Sequence, residues 1–122
     1  MFPFGKKSLE VRSQLHPDLQ KVVDEVSKTV NCSLICGHRN EADQNRAFAE
    51  GKSKLKWPKS RHNSWPSEAV DIVPYPVDWK DIKAFKAMAV KIKEAAETVG
   101  VKIEWGGDWV NFRDYPHWQL KK

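Results

Sequence analysis

Three residues with the chemistry of metal ligands lie far apart in this chain: His62, Asp71 and His117. His62 falls in a stretch of Pro, Ser, Asn and Lys, Asp71 interrupts the apolar run AVDIV, and His117 opens the C-terminal HWQL. A carboxylate among Ala, Val and Ile is expensive to bury without a cation, a metal or several donors beside it. Two His and one carboxylate form a standard three-ligand set for catalytic zinc, leaving a fourth position for water that ionises near pH 7. Spacing does not decide between this and two plainer readings, a loop histidine at the surface and an Asp71 ion-paired with Arg39 or Arg61. His16, ahead of Pro17 at a helix start, and His38, beside Arg39, are weaker candidates.

The elements that must bring these residues together can be read from periodicity and punctuation. Behind Pro17, a natural first-turn residue, Leu19, Val22, Val23, Val26 and Val30 repeat at helical spacing. Residues 33–38 alternate as a strand, and EADQNRAFAE reads as a short helix stopped by Gly51. Residues 52–68 lack periodicity and form a long loop, which in a small domain is usually functional or disordered. AVDIVPYP is a strand ended by Pro74. Asp78 caps a helix that turns Ile82, Phe85, Ala89, Ile92, Ala96 and Val99 inward and that Gly100 closes. VKIEW is a further strand, GGDWVNFRDYP a turn-rich loop and HWQL the last strand. The predicted fold is α+β: one small domain over residues 1–122, with a mainly antiparallel sheet backed by helices.

Cys32 and Cys36 flank the alternating apolar stretch in NCSLICGH that reads as the first strand. Four residues of strand separate Cα atoms by roughly 13 Å, and a disulfide needs them within about 7 Å. Two reduced thiols are expected; a Cys-x3-Cys metal pair is the other reading of the spacing, with a weaker ligand set than His62, Asp71 and His117.

At 122 residues the chain suits one domain, and its net charge of +5 favours polyanionic partners, nucleic acid and bacterial wall among them. The densest basic stretch, GKSKLKWPKSR, reads as a solvated loop. No apolar run approaches the ~20 residues that span a bilayer. MFPFGKKSLEVRSQ at the N-terminus lacks the apolar region of a signal peptide, so the expectation is a cytoplasmic product that does not insert into membrane.

The segments SRHNSWPSEAVDIVPYP, WGGDW and DYPHWQL, together with the G-x-R segment Gly37-His38-Arg39, resemble the zinc D-Ala-D-Ala carboxypeptidases and phage L-Ala-D-Glu endopeptidases. That family carries S-x-H…A-x-D and, near its C-terminus, D-x-x-H preceded by W-G-G-D-W. The resemblance implies one Zn2+ held by His62, Asp71 and His117 at the sheet edge, with Asp114 as catalytic acid/base. It implies that Arg39 is a catalytic and substrate-contacting arginine, and that Ser60, Trp105 and Trp109 line the substrate site. The stretch between His62 and Asp71 is longer than is common in the family, with Ser67-Glu68 where a Gly is expected. Asp114 also fits on chemical grounds. Three residues before His117, in a turn with Pro116, its carboxylate can take a proton from an attacking water and return it to a leaving amine. Asp108 is a rival base, although Gly-Gly-Asp reads as a turn in which Asp bonds its own backbone. Trp105 and Trp109 bracket the Gly-Gly turn, where they could form a wall of the cleft, but core packing is the default reading for these two as for Trp79 and Trp118.

The function this implies is hydrolysis of the L-Ala-D-Glu bond in the stem peptide of bacterial peptidoglycan by a phage or prophage lysis enzyme. It would act as a monomer without a separate wall-binding domain, and without nucleic acid as partner. It would wait in the host cytoplasm until lysis and then act on the periplasm and cell wall. A D-Ala-D-Ala carboxypeptidase of the same fold is one alternative. A non-catalytic basic module that grips wall or nucleic acid is the other.

Overall fold

The computed structural model describes residues 1–121. Its elements are α1 (Lys6–Ser13), α2 (Pro17–Val26), β1 (Cys32–Cys36), α3 (Glu41–Ala49), β2 (Ala69–Pro74), α4 (Ile82–Val99), β3 (Ile103–Trp105) and β4 (His117–Leu120). Short 3-10 turns cover Arg61–Asn63 and Gly106–Asp108. Among the described residues the four strands form one sheet in the order β1-β2-β4-β3, every neighbour pair antiparallel. This is the α+β arrangement that the alternation of apolar periods predicts.

The alternation of strand side chains divides the sheet into two faces. Val70, Trp118 and Trp105 occupy successive strands in register, and the two indoles stack at 5.6 Å. They join one core with Leu19, Val22, Val23 and Val26 of α2 and Phe85, Met88, Ala89, Ile92 and Ala96 of α4. Asp71, His117, Gln119 and Glu104 leave the opposite face. Burial of the apolar row therefore sets the register, and a one-residue slip would send Asp71 into the core and Val70 to the site.

Three local expectations change. The side chain of Asp81, not Asp78, caps α4 by accepting from Ala84 N at 3.1 Å, while Asp78 accepts from Lys80 N in a separate turn. With the helix starting later, Ile82 is 40% exposed and Trp79 is 58% exposed, so neither is a core residue. α2 stops at Val26, and Val30 packs on the core from outside the helix. α1 has no counterpart in the expected elements. Its buried residues are only Ser8 and Val11, too few to mark a helical face, and Ser8 Oγ accepts from Leu34 N at 3.0 Å along β1.

Gly37 lies just beyond β1, where α1 crosses it. A Cβ there would stand 3.1 Å from the Val11 carbonyl oxygen and 3.2 Å from Leu15, so glycine permits the close packing of α1. Gly100 ends α4 with φ 74°, a left-handed conformation that glycine adopts without steric strain.

Candidate active site

β2 and β4 are the two inner strands of the sheet, and their register sets Asp71 directly opposite His117. The site expected at the sheet edge therefore rises from its centre, where His117 begins β4. Asp71 Oδ1 lies 3.5 Å from His117 Nδ1.

His62 reaches this pair from the 3-10 turn, which a reciprocal clasp fixes to the chain after β1. His62 Nδ1 donates to the Gly37 carbonyl at 2.7 Å, Arg39 N donates to the His62 carbonyl at 2.8 Å, and Asn63 Nδ2 donates to the Arg39 carbonyl at 2.9 Å. Ser60 caps the turn, its hydroxyl accepting from His62 N. The expected substrate residue Ser60 thus holds His62 in place while also lining the cleft. Because a carbonyl oxygen only accepts, the bond to Gly37 puts a proton on Nδ1 and turns Nε2 toward the other two side chains. Nε2 lies 3.2 Å from Asp71 Oδ1 and 3.2 Å from His117 Nδ1.

These three atoms form a nearly equilateral triangle. Donors about 2.0–2.1 Å from a tetrahedral zinc stand about 3.3 Å apart, so the triangle has the size that such an ion requires. Without a metal, the arrangement is an ion pair. Burial alone would lower the His62 pKa, but the charge and hydrogen bond of Asp71 outweigh it and raise the value to about 10. Burial would likewise raise the Asp71 pKa; the charge of His62 and its hydrogen bond instead hold it well below the usual carboxylate range.

Cys36, His62 and Asp71 form a second grouping whose ligand atoms lie within 4.8 Å of one another and which can hold a metal. Cys36 Sγ is 3.8 Å from His62 Nδ1, the nitrogen already bonded to Gly37. Both cysteines are free thiols, as the strand spacing predicts. Burial pushes the Cys32 thiol up to about 11. For Cys36 the effect of burial is outweighed by His62, and the pKa is lowered.

Asp114 lines the same cleft. Its pKa is raised by burial first and by the charge of Asp71 second, against the pull of His117, His62 and Arg39. The Gly-Gly turn positions it: Asp114 N donates to the Gly106 carbonyl at 3.0 Å. A Cβ on Gly106 would collide with the Asp114 carbonyl oxygen and crowd the Cβ of His117 at 3.1 Å; one on Gly107 would strike the Trp105 ring. The rival base Asp108 points elsewhere, exposed and paired with Lys93 at 2.8 Å.

Arg39 lines the cleft with its Nη2 3.9 Å from Asp71 Oδ2 and its Nη1 donating to Gln44 Oε1 at 3.0 Å. Gln44 lies behind Arg39. It is fully buried and binds four partners, accepting from Arg39 and Asn63 and donating to Ser53 Oγ and the Leu55 carbonyl. A polar residue on a short, weakly amphipathic helix gives no sequence signal of such a role.

The cleft over the triangle measures about 660 Å³. Trp109 forms part of its wall, its ring 5.1 Å from that of His117. Trp105 does not line it and belongs to the core, stacked on Trp118. Trp79 lines it instead, at 6.0 Å from Phe85. The basic stretch read as a solvated loop supplies Lys52, Lys54, Lys59 and Arg61 to the rim, and Arg113 adds a further charge.

Comparison with known proteins extends over the whole fold. The family model of phage L-alanyl-D-glutamate peptidase matches residues 1–121. A protein of Escherichia phage T5 named L-alanyl-D-glutamate peptidase is 33% identical, over 99% of this chain and 90% of its own length. The peptidoglycan L-alanyl-D-glutamate endopeptidase CwlK of Bacillus subtilis (strain 168) is 25% identical, over 93% of this chain and 78% of its own. The crystal structure of the Serratia marcescens L-Ala D-Glu endopeptidase ChiX superposes with a TM-score of 0.83 at 33% identity, covering 97% of this chain and 89% of that one. This chain belongs to the phage L-alanyl-D-glutamate peptidase family.

Proposed function

We propose that the protein is a zinc-dependent endopeptidase that hydrolyses the L-Ala-D-Glu bond of the peptidoglycan stem peptide. The observation that carries this is the convergence of His62 Nε2, Asp71 Oδ1 and His117 Nδ1, none more than 3.5 Å from another, at the floor of a basic cleft in a member of this family. The donor set and its spacing suit one zinc ion, with His62, Asp71 and His117 as ligands. Cys36 stands behind His62, on the side of the nitrogen committed to Gly37, and is not assigned as a ligand.

A zinc ion held there supplies a Lewis acid for the scissile carbonyl and brings the pKa of water toward neutrality. Asp114 is the general base: it takes the proton of the attacking water and returns it to the amine of D-Glu as the C–N bond breaks. A carboxylate whose pKa is raised is better matched to both halves of that transfer than an ordinary surface Asp. The Arg39 guanidinium, braced by Gln44, offers fixed positive charge to the carbonyl oxygen as it gains negative charge. Lys52, Lys54, Lys59 and Arg113 give the rim the charge to receive the carboxylates of the stem peptide. Among the described residues no helix is long and apolar enough to cross a membrane. As in a phage lysis system, the enzyme would be made in the host cytoplasm and act on the wall at lysis.

The test is digestion of Gram-negative peptidoglycan by the zinc-loaded protein, with and without chelator, and mass spectrometry of the products. New N-terminal D-Glu that disappears with chelator is expected. Released D-Ala would make it a carboxypeptidase. Folded, zinc-loaded protein that yields no product would overturn the hydrolytic reading in favour of wall binding.

A further inference from the structure

We propose that Glu104 and Gln119 are positioning residues that select which nitrogen of His117 faces the metal, an inference that rests on His117 being a ligand. Gln119 lies two residues beyond His117 on β4, so both side chains leave the same face of the sheet. Glu104 on β3 stands directly opposite Gln119. Gln119 Nε2 donates to Glu104 Oε1 at 2.8 Å, and His117 Nε2 donates to Gln119 Oε1 at 2.8 Å.

This chain of bonds has one consistent direction. A carboxylate only accepts, so the amide turns its NH2 toward Glu104 and leaves its carbonyl oxygen to His117. That oxygen also only accepts, so the proton resides on His117 Nε2. The other nitrogen, Nδ1, then presents a lone pair where it meets His62 Nε2 at 3.2 Å and Asp71 Oδ1 at 3.5 Å. His62 solves the same problem with a backbone carbonyl, at Gly37. For His117 the solution is made of side chains, and its orientation depends on Glu104. An amide released from Glu104 can turn over and offer NH2 to Nε2, which drives the imidazole proton onto Nδ1 and blocks the metal. Outer partners of this kind typically change metal affinity ~10–100-fold.

The experiment compares wild type with Gln119→Met, Glu104→Gln and the exchanged pair Glu104→Gln/Gln119→Glu. Two readouts are used: zinc affinity by chelator competition, and the His117 tautomer by 15N NMR of the metal-free protein at a pH where that ring carries one proton. Gln119→Met and Glu104→Gln should each weaken zinc ~10–100-fold and shift the His117 proton from Nε2 toward Nδ1. The exchanged pair restores a carboxylate that accepts from both neighbours, so it should recover the Nε2-protonated ring and most of the affinity. Unchanged affinity and tautomer in a folded Glu104→Gln protein would overturn the inference. His117→Ala separates the two levels. Retention of stoichiometric zinc there would overturn the ligand reading itself, whereas loss of zinc there alongside a silent Glu104→Gln overturns the positioning role alone.

Discussion

Asp71 and His117 face each other across the antiparallel pair β2–β4, with Asp71 Oδ1 3.5 Å from His117 Nδ1, and His62 Nε2 closes the triangle at 3.2 Å from each. Strand register supplies two corners and a loop clasp supplies the third. Changes to the site should therefore divide into those that remove a donor, those that remove the base and those that loosen the clasp.

Removing the proposed base should leave the proposed metal site able to hold zinc. Asp114→Asn is expected to keep stoichiometric zinc and to lose ~10²–10⁴-fold in kcat, the usual worth of a general base. Zinc analysis alongside steady-state turnover of a synthetic stem peptide checks this. Full activity in the variant would exclude Asp114 from the mechanism.

At the proposed zinc site, the metal and a proton would compete for His62. With its pKa raised to about 10, metal-free His62 is protonated at pH 7, and the nitrogen that faces Asp71 must lose that proton to bind a metal. Zinc binding should release about one proton at pH 7, and affinity should fall as pH is lowered. Calorimetry in buffers of different ionisation enthalpy measures the number released, and a value near zero would contradict the protonated state.

The same ion pair links metal-free stability to pH. A raised His62 pKa contributes stability that is complete below the unfolded value of about 6.5 and is lost as pH rises toward 10. The lowered Asp71 pKa contributes above its unfolded value of about 3.9 and is lost in acid. Thermal melts of chelated protein should decline on the alkaline side across pH 6.5–10, and His62→Gln should flatten that decline. An equal decline in the variant would assign it to other groups.

Gly106→Ala should uncouple the base from the metal site. The added methyl collides with the Asp114 carbonyl and must displace the segment that joins Asp114 to His117. Misplacement by about 1 Å can cost ~10²-fold in rate, so activity should drop by at least tenfold while the core, including stacked Trp105 and Trp118, remains folded. Near-UV circular dichroism and kcat, measured together, test the separation.

Gln44→Met preserves volume but deletes four buried hydrogen bonds beneath Arg39 and the His62 turn. Leaving such partners unsatisfied should destabilise the protein by about 1–3 kcal/mol in urea denaturation. The Arg39 brace should loosen as well, with kcat reduced. Unchanged stability would mean that water replaces Gln44 without loss.

Much of this protein is legible along the chain. Pro17, the apolar period of α4, Gly100 and the break at Pro74 mark elements because each acts on its own neighbourhood. Asp71 stands out because a carboxylate inside AVDIV has no local reason to be there. The spaced motifs around His62, Asp71, Asp114 and His117 pointed to residues that the fold gathers around one cleft. Other features depended on contacts between distant segments. Ser8 on Leu34, Gln44 beneath Arg39 and Glu104 behind Gln119 are polar residues with no periodicity, and their partners are chosen by packing and strand register. The shift of the α4 cap from Asp78 to Asp81 turned Trp79 from the core to the cleft, while stacking on Trp118 drew Trp105 inward. Local sequence specifies which segments are helix or strand where an apolar period is strong, and which of their faces is apolar. Long-range pairing specifies which polar atoms end up 3 Å apart, and that is where the chemistry of this site resides.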